Sequence, residues 1–285
     1  MRKKNIKSVF VLILATFLMG CAHLWAEPKT VERETADDVR VMSWNILYKG
    51  WEKKGHASWK ERVPSAVQIL RKHQPDVVGL QEDSKDQVAY ITKWLGDYTY
   101  LDPYKKRGGG LLIRTKAWRV IKSGKIPIPG KRHASWALLE STRNSERWLF
   151  YNAHFIHRTA ENSAADRMKA AVQIAQHMAR HAPYGVPVVM TGDFNALHDM
   201  PVMQYLGGDA GSPVQFSNAF NMIHGGDDPR GTWRGLGKEH HGERIDHILI
   251  DKHVTVQDVE IIYYDELSGA WPSDHYPVQA ILSSL

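Results

Sequence analysis

The stretch VPVVMTGDFNA, residues 186–196, decides how the fold is read. Val186 to Met190 is a short apolar run rich in β-branched residues, which suits a buried strand. Thr191-Gly192-Asp193-Phe194-Asn195 then reads as a loop. A helix precedes the strand. Residues 161–181 place Ala164, Met168, Ala171, Val172, Ile174 and Ala175 on or near one face. So an acid and an amide stand at the mouth of a buried strand. Taken alone, that is an ordinary turn or cap.

Working outward, the same arrangement recurs. Val39 to Trp44 alternates as a strand and ends near Asn45. Residues 59–73 carry Val63, Val67 and Leu70 at helical spacing, and Pro75 stops that helix. Val77 to Leu80 is a buried-type strand followed by Gln81-Glu82-Asp83, and a second helix is expected near 85–95. Leu111–Arg114, Ala134–Glu140 and Trp148–Phe155 are strand candidates, the last containing His154. Ile245–Ile250, Val254–Ile262 and Val278–Leu282 follow, with Asp246 in the first and Asp274-His275 opening the last. Helices and hairpin-like strand pairs are mixed, which predicts an α/β fold with mixed sheets.

Six strand ends thus carry Asn45, Glu82, His154, Asp193 with Asn195, Asp246, and Asp274 with His275. Glu, Asp and Asn oxygens suit a hard cation such as Mg²⁺, which polarises a phosphoryl oxygen. An imidazole paired with a carboxylate is an oriented general base. A second imidazole can donate to a phosphate oxygen or a leaving group. Together these point to phosphoester hydrolysis.

The set resembles the endonuclease/exonuclease/phosphatase superfamily, which includes deoxyribonuclease I, abasic-site endonucleases, bacterial sphingomyelinases, inositol polyphosphate 5-phosphatases and deadenylases. The matching pieces, in the family's order, are Met42-Ser43-Trp44-Asn45, Gly79-Leu80-Gln81-Glu82, Asn152-Ala153-His154-Phe155, Thr191-Gly192-Asp193-Phe194-Asn195-Ala196, Arg244-Ile245-Asp246-His247-Ile248 and Ser273-Asp274-His275-Tyr276-Pro277-Val278. The resemblance implies a four-layer α/β sandwich, with two packed mixed sheets flanked by helices. It implies Glu82 as the main Mg²⁺ ligand (Mn²⁺ as the alternative), with Asn45 beside it and Asp274 assisting. Asp193 and Asn195 would hold the attacking water and the phosphate, or a second metal ion. His275, oriented by Asp246, would be the base or the phosphate-side imidazole. His154 would contact the phosphoryl oxygens.

A narrower resemblance is to a secreted bacterial branch that reads His-x-Asp-His with a later Ala-Arg. Here His154-Phe155-Ile156-His157 has Ile156 at the Asp position, and Asp166-Arg167 has Asp166 at the Ala position. His157 and Arg167 are the substrate-pocket candidates on that reading. Otherwise they are a surface histidine and an i,i+4 ion-pair partner. Lys105-Lys106-Arg107-Gly108-Gly109-Gly110 is an anion cradle or a solvated turn before a strand. Trp233 and Trp271 are stacking platforms or rim packing. His198 and His240-His241 lack a zinc spacing.

The N-terminus is read apart from the fold. Arg2, Lys3, Lys4 and Lys7 form a basic head before an apolar run from Val9 to Met19, the pattern of an export signal over residues 1–20. Leu18-Met19-Gly20-Cys21 resembles the bacterial lipobox, and Cys21 is the chain's single cysteine. Residues 21–38 are then a polar tether, spanning about 20–25 Å as a flexible chain. Residues 39–285 are the single large domain. The expected location is the bacterial cell envelope, with a lipid anchor in the membrane and a monomeric body. Removing the four basic residues of the signal leaves 33 of 37 against 31 acidic, so the net charge falls from +6 to +2. That weak balance gives no footprint for processive nucleic-acid work. The substrates in view are a phosphodiester (nucleic acid or phospholipid head group) or a small phosphate monoester of inositol or sugar type. A non-catalytic binding lipoprotein on the same fold is the reading from a different class.

Overall fold

The computed structural model describes residues 38–54, 57–101, 109–159, 161–235, 242–265, 267 and 269–285. The signal, most of the tether with Cys21, the Lys105–Arg107 run and His240-His241 lie outside the described residues.

Two six-stranded sheets carry the chain. The first runs β11-β12-β1-β2-β4-β3 and the second β5-β6-β7-β8-β10-β9. Each has one parallel pair at its centre. In the first, β1 (Val39–Asn45) pairs with β2 (Val77–Gln81) through the helix α1 (Trp59–His73). In the second, β7 (Arg147–His154) pairs with β8 (Val188–Asp193) through α3 (Ser163–His181). The flanking pairs are antiparallel. β12 (Val278–Ser284) runs against β1, and β10 (Asp246–Ile250) runs against β8. The remaining strands are β3 (Tyr98–Leu101), β4 (Leu111–Arg114), β5 (Trp118–Ile128), β6 (Arg132–Ser141), β9 (Ser217–Asn218) and β11 (Val254–Ile261).

β1 and β2 lie over β7, β8 and β10, so the sheets pack face to face. α1 and α2 (Lys85–Leu95) pack together on one side; α3 and α4 (Pro201–Leu206) pack together on the other. This is the four-layer α/β sandwich. The central strands are apolar throughout because both faces are covered, and Met42, Trp44, Val77, Leu80, Trp148 and Phe150 are at most 1% exposed. Each such side chain contributes about 1.5–3 kcal/mol by leaving water.

Local signals explain the helices. α1 begins with a Ser58–Glu61 capping box and ends at Gln74 in the left-handed conformation, directly before Pro75. α3 starts at Ser163, two residues after the expected boundary, and Ala164 is exposed rather than on the packed face. β5 lacks the periodic apolar signal. Its residues from Arg119 to Lys125 are mostly exposed, and it carries Pro127 and a bulge, as an edge strand does.

Between the sheets runs a buried polar layer. Asn152 Oδ1 accepts from Gln81 Nε2 at 2.7 Å and from Thr191 Oγ1 at 3.1 Å, while its amide donates to Leu80 and Gly110 carbonyls. Gly79 leaves room for this layer: a Cβ there would collide with Thr191 and Asn152.

Candidate active site

In a parallel β-α-β unit both strands point the same way, so their C-terminal ends share one pole of the molecule. Asn45 and Gln81 are paired across β1 and β2, and His154 and Asp193 across β7 and β8. Antiparallel neighbours bring their beginnings to the same pole. Asp246, the first residue of β10, lies directly opposite Asp193. The segment before β12 delivers Asp274 and His275 beside the exit of β1. Six separate strand ends of the sequence therefore meet at one place.

Asp193 is the hub. Asn45 Nδ2 donates to its Oδ2 at 3.0 Å, a bond that crosses from one sheet to the other. His154 Nε2 stands 3.4 Å from the same oxygen, and His275 Nε2 stands 4.0 Å from it. Oδ1 accepts the Asn195 backbone N–H at 3.0 Å. The His275 ring is set by Asp246, whose Oδ2 accepts from Nδ1 at 2.8 Å. That leaves Nε2 as the nitrogen turned toward Asp193. Asp193, Asp246 and His275 are all buried.

The electrostatics follow from that burial. Burial first, then the neighbouring Asp246 carboxylate, push Asp193 up to about 7. Burial opposes charge on His275, but Asp246, Asp274 and Asp193 outweigh it and raise the ring to about 10. Both shifts hold Asp193 and His275 toward their protonated forms.

Backbone conformation aims the other groups. Glu82 (φ 54°) and Asn195 (φ 48°) both lie in the left-handed region directly after their strands. That costs a non-glycine residue about 1 kcal/mol. It marks a turn imposed by position rather than by local preference. Glu82 Oε2 accepts from the Tyr48 backbone at 3.2 Å and the Trp51 indole at 3.1 Å. Asn195 Nδ2 donates to the Phe155 carbonyl at 3.1 Å. Asp274 is half-buried next to Ser273, whose hydroxyl donates to the Asn45 carbonyl at 2.6 Å and accepts the His275 N–H at 3.1 Å.

The donor chemistry fits a hard divalent cation. Glu82, Asn45 and Asp274 offer oxygen, and both described hydrogen bonds to Glu82 fall on Oε2. Asp246 Oδ1 is buried with no hydrogen-bond partner. Asp193, Asp246 and His275 also present ligand atoms within 4.8 Å of one another. Two of those three are already joined by the 2.8 Å hydrogen bond.

The pocket candidates His157 and Arg167 both lie just past His154. His157 is exposed and contacts Thr159, with Arg158, Arg132 and Arg167 near enough to disfavour its charge after burial does so. Arg167 is buried and reaches the Ile156 carbonyl at 3.4 Å, so it is not the helix ion-pair partner of the alternative reading. Trp271 has one face covered by the Arg234 guanidinium, 3.4 Å from its ring centre, whereas Trp233 is 37% exposed.

Three supports escaped the sequence reading. Thr232 Oγ1 accepts the N–H groups of Ile245 and Asp246, both at 3.1 Å, and its carbonyl accepts Tyr276 N–H at 2.8 Å. Arg62 is buried and donates to the carbonyls of Ile46, Leu47, Ala57 and Pro272. Tyr264 accepts from the Trp44 indole at 3.0 Å and donates to the His275 carbonyl. Thr232 sits in a polar loop, Arg62 reads as an ordinary helix charge and Tyr264 follows an apolar strand, so none of the three carries a signal in the chain that says where it points.

Comparison with known proteins gives the same frame. The profile described as Endonuclease/Exonuclease/phosphatase family matches residues 42–275. Among curated proteins none matches. Solved structures do. An endonuclease/exonuclease/phosphatase from Bacteroides vulgatus superposes with a TM-score of 0.74 at 22% identity, covering 87% of this chain and 99% of that one. The mannosyl-6-phosphatase of Bacteroides thetaiotaomicron gives 0.68 at 20% identity, over 86% and 99%. The D. rerio protein TDP2, complexed with a single-strand DNA product, gives 0.71 at 20% identity, over 87% and 99%.

Proposed function

We propose a reaction from one premise: the chain belongs to the endonuclease/exonuclease/phosphatase family. Its members include phosphoester hydrolases, and the reading here is a Mg²⁺-dependent phosphodiesterase, with Mn²⁺ as a substitute ion. The observation that carries it is Asp193, buried and set between His154, His275 and Asn45.

Glu82, with Asn45 and Asp274 near it, would hold the cation. When bound, it withdraws charge from a phosphoryl oxygen. The chain's own groups do the rest. Asp193, raised to about 7, is tuned to accept a proton from the attacking water near neutral pH. The water oxygen bonds to phosphorus, the bond to the leaving oxygen breaks, and the proton passes to Asp193. His275, held charged by Asp246, and His154 hydrogen-bond the phosphoryl oxygens as negative charge builds there. Asn195 fixes the Asp193 carboxylate through its backbone N–H. His157 and Arg167 would bind the part of the substrate beyond the phosphate. The same groups would serve a phosphate monoester, which is the alternative reading.

The test is hydrolysis of a bis-aryl phosphate and an aryl monophosphate with Mg²⁺ or Mn²⁺. Diester cleavage should fall by about 10²–10⁴ in Glu82→Ala, Asp193→Asn and His275→Ala. Cleavage of the monoester alone would reject the diester reading. Bound metal without turnover of either would favour the binding lipoprotein.

The location is part of the same proposal: export, lipidation at Cys21 and attachment of a monomeric body to an envelope membrane. Asp38 enters β1 at the end opposite Asn45, so a tether from Cys21 would leave the site facing away from the bilayer. Cys21→Ser should move the protein from the membrane fraction to the soluble one. Retention in the membrane would reject the anchor.

A further inference from the structure

The chain leaves β1 through Ile46 and turns at Leu47, whose φ is 55°. A single 3₁₀ segment, Lys49–Lys54, follows. It is latched to the first turn of α2. The Lys49 N–H donates to Gln87 Oε1 at 3.1 Å, and Gln87 Nε2 donates back to the Leu47 carbonyl at 3.0 Å. The Lys49 ammonium pairs with Asp86. Gln87 is fully buried, so this latch is held by packing as well as by charge. Glu82 lies on the turn between β2 and α2, facing the latched segment.

The latch brings two N–H donors from that segment onto one oxygen of Glu82. The Tyr48 backbone reaches Oε2 at 3.2 Å and the Trp51 indole reaches it at 3.1 Å, whereas no described hydrogen bond falls on Oε1. The last torsion of a glutamate side chain is broad, so a half-buried carboxylate turns readily unless something holds it. Mg²⁺ demands near-ideal octahedral geometry, and a ligand oriented before the ion arrives binds it more tightly. We propose that Trp51 is a positioning residue for the cation: its indole N–H fixes Oε2 of Glu82 and leaves Oε1 for the metal. This rests on the reading of Glu82 as the cation ligand and adds to it a residue that never touches the ion. Trp51 acts only through the carboxylate, so its removal weakens the ion's hold without altering the groups that act on phosphate.

The test is Mn²⁺ binding by the whole chain, read from the electron paramagnetic resonance signal of the free ion, in the parent, Trp51→Phe, Trp94→Phe and Glu82→Ala. Phenylalanine keeps an aromatic ring and lacks the donor. Trp51→Phe should bind Mn²⁺ about tenfold or more weakly, with an unchanged midpoint of urea unfolding. Trp94, exposed on α2, serves as the control, and Trp94→Phe should match the parent. The Mg²⁺ concentration for half-maximal turnover should rise in Trp51→Phe by the same factor, with kcat at saturating Mg²⁺ retained. A lower unfolding midpoint together with a lower kcat at saturating Mg²⁺ would assign Trp51 to packing and overturn the proposal. Parent affinity in Trp51→Phe, with the ion lost from Glu82→Ala, would overturn the role of Trp51 and leave Glu82 as the ligand. Parent affinity in Glu82→Ala would reject the ligand reading itself, and the positioning role with it.

Discussion

Asp193 and His275 are shaped by the same third residue, Asp246. Its carboxylate raises both, one by repulsion and the other by attraction. Asp246→Asn should therefore lower the His275 ring from its value of about 10. If the charged ring serves catalysis, the fall of activity with rising pH should then begin at lower pH than in the parent chain. Imidazole nitrogen chemical shifts and a pH–rate profile read the two effects separately. At this scale the sequence was highly legible. Glu82, His154, Asp193, Asp246 and His275 each stand at the border between an apolar run and a turn, where few polar side chains are needed for packing. Asn195 and Glu82 add a left-handed backbone that the sequence did not announce.

Elements place those residues to within a bond length, and here the sequence says less. The helices and central strands follow from apolar periodicity, but β5 is polar and exposed and β9 has two residues, so neither carries a period. Arg62 lies on α1 among Val63, Ala66 and Val67, and its position reads as an ordinary helix surface charge. In the fold it clamps the exit of β1 to Pro272, the segment that leads to Asp274 and His275. Arg62→Met would leave buried carbonyls without donors, at a cost of about 3 kcal/mol or more. It should lower the midpoint of urea unfolding and reduce turnover. Gly79→Ala tests the other support. A methyl group at that point pushes against Thr191 and Asn152, so the sheets must separate, with an expected loss of about 1–3 kcal/mol. Unchanged unfolding midpoints would show that the polar layer tolerates the shift.

The whole molecule carries a pH signature of its own. His247 is buried next to Asp246, with Nε2 donating to the Ala196 carbonyl and Nδ1 accepting from the Asn218 amide, both at 2.9 Å. That pattern needs the neutral ring, and burial brings it from 6.5 to about 4. Burial, with Lys125, lowers His133 to a similar value. Between about pH 4 and 6.5 the unfolded chain binds protons at His247 and His133 that the folded chain refuses, so these two rings make stability rise with pH; Asp193, raised to about 7, opposes them in part, and His275, raised to about 10, makes stability fall above that window. Urea unfolding at pH 5 and pH 7 should show this slope. His247→Gln should flatten it while lowering stability at pH 7.

The Asn45 to Asp193 bond and the pairing of β1 with β12 have a consequence in time. The pocket takes one side chain from the first described strand and another from the segment just before the last. Every other contributor lies between. A ribosome must therefore reach the segment before the last described strand before the centre can close, and until then a nascent chain carries only part of it.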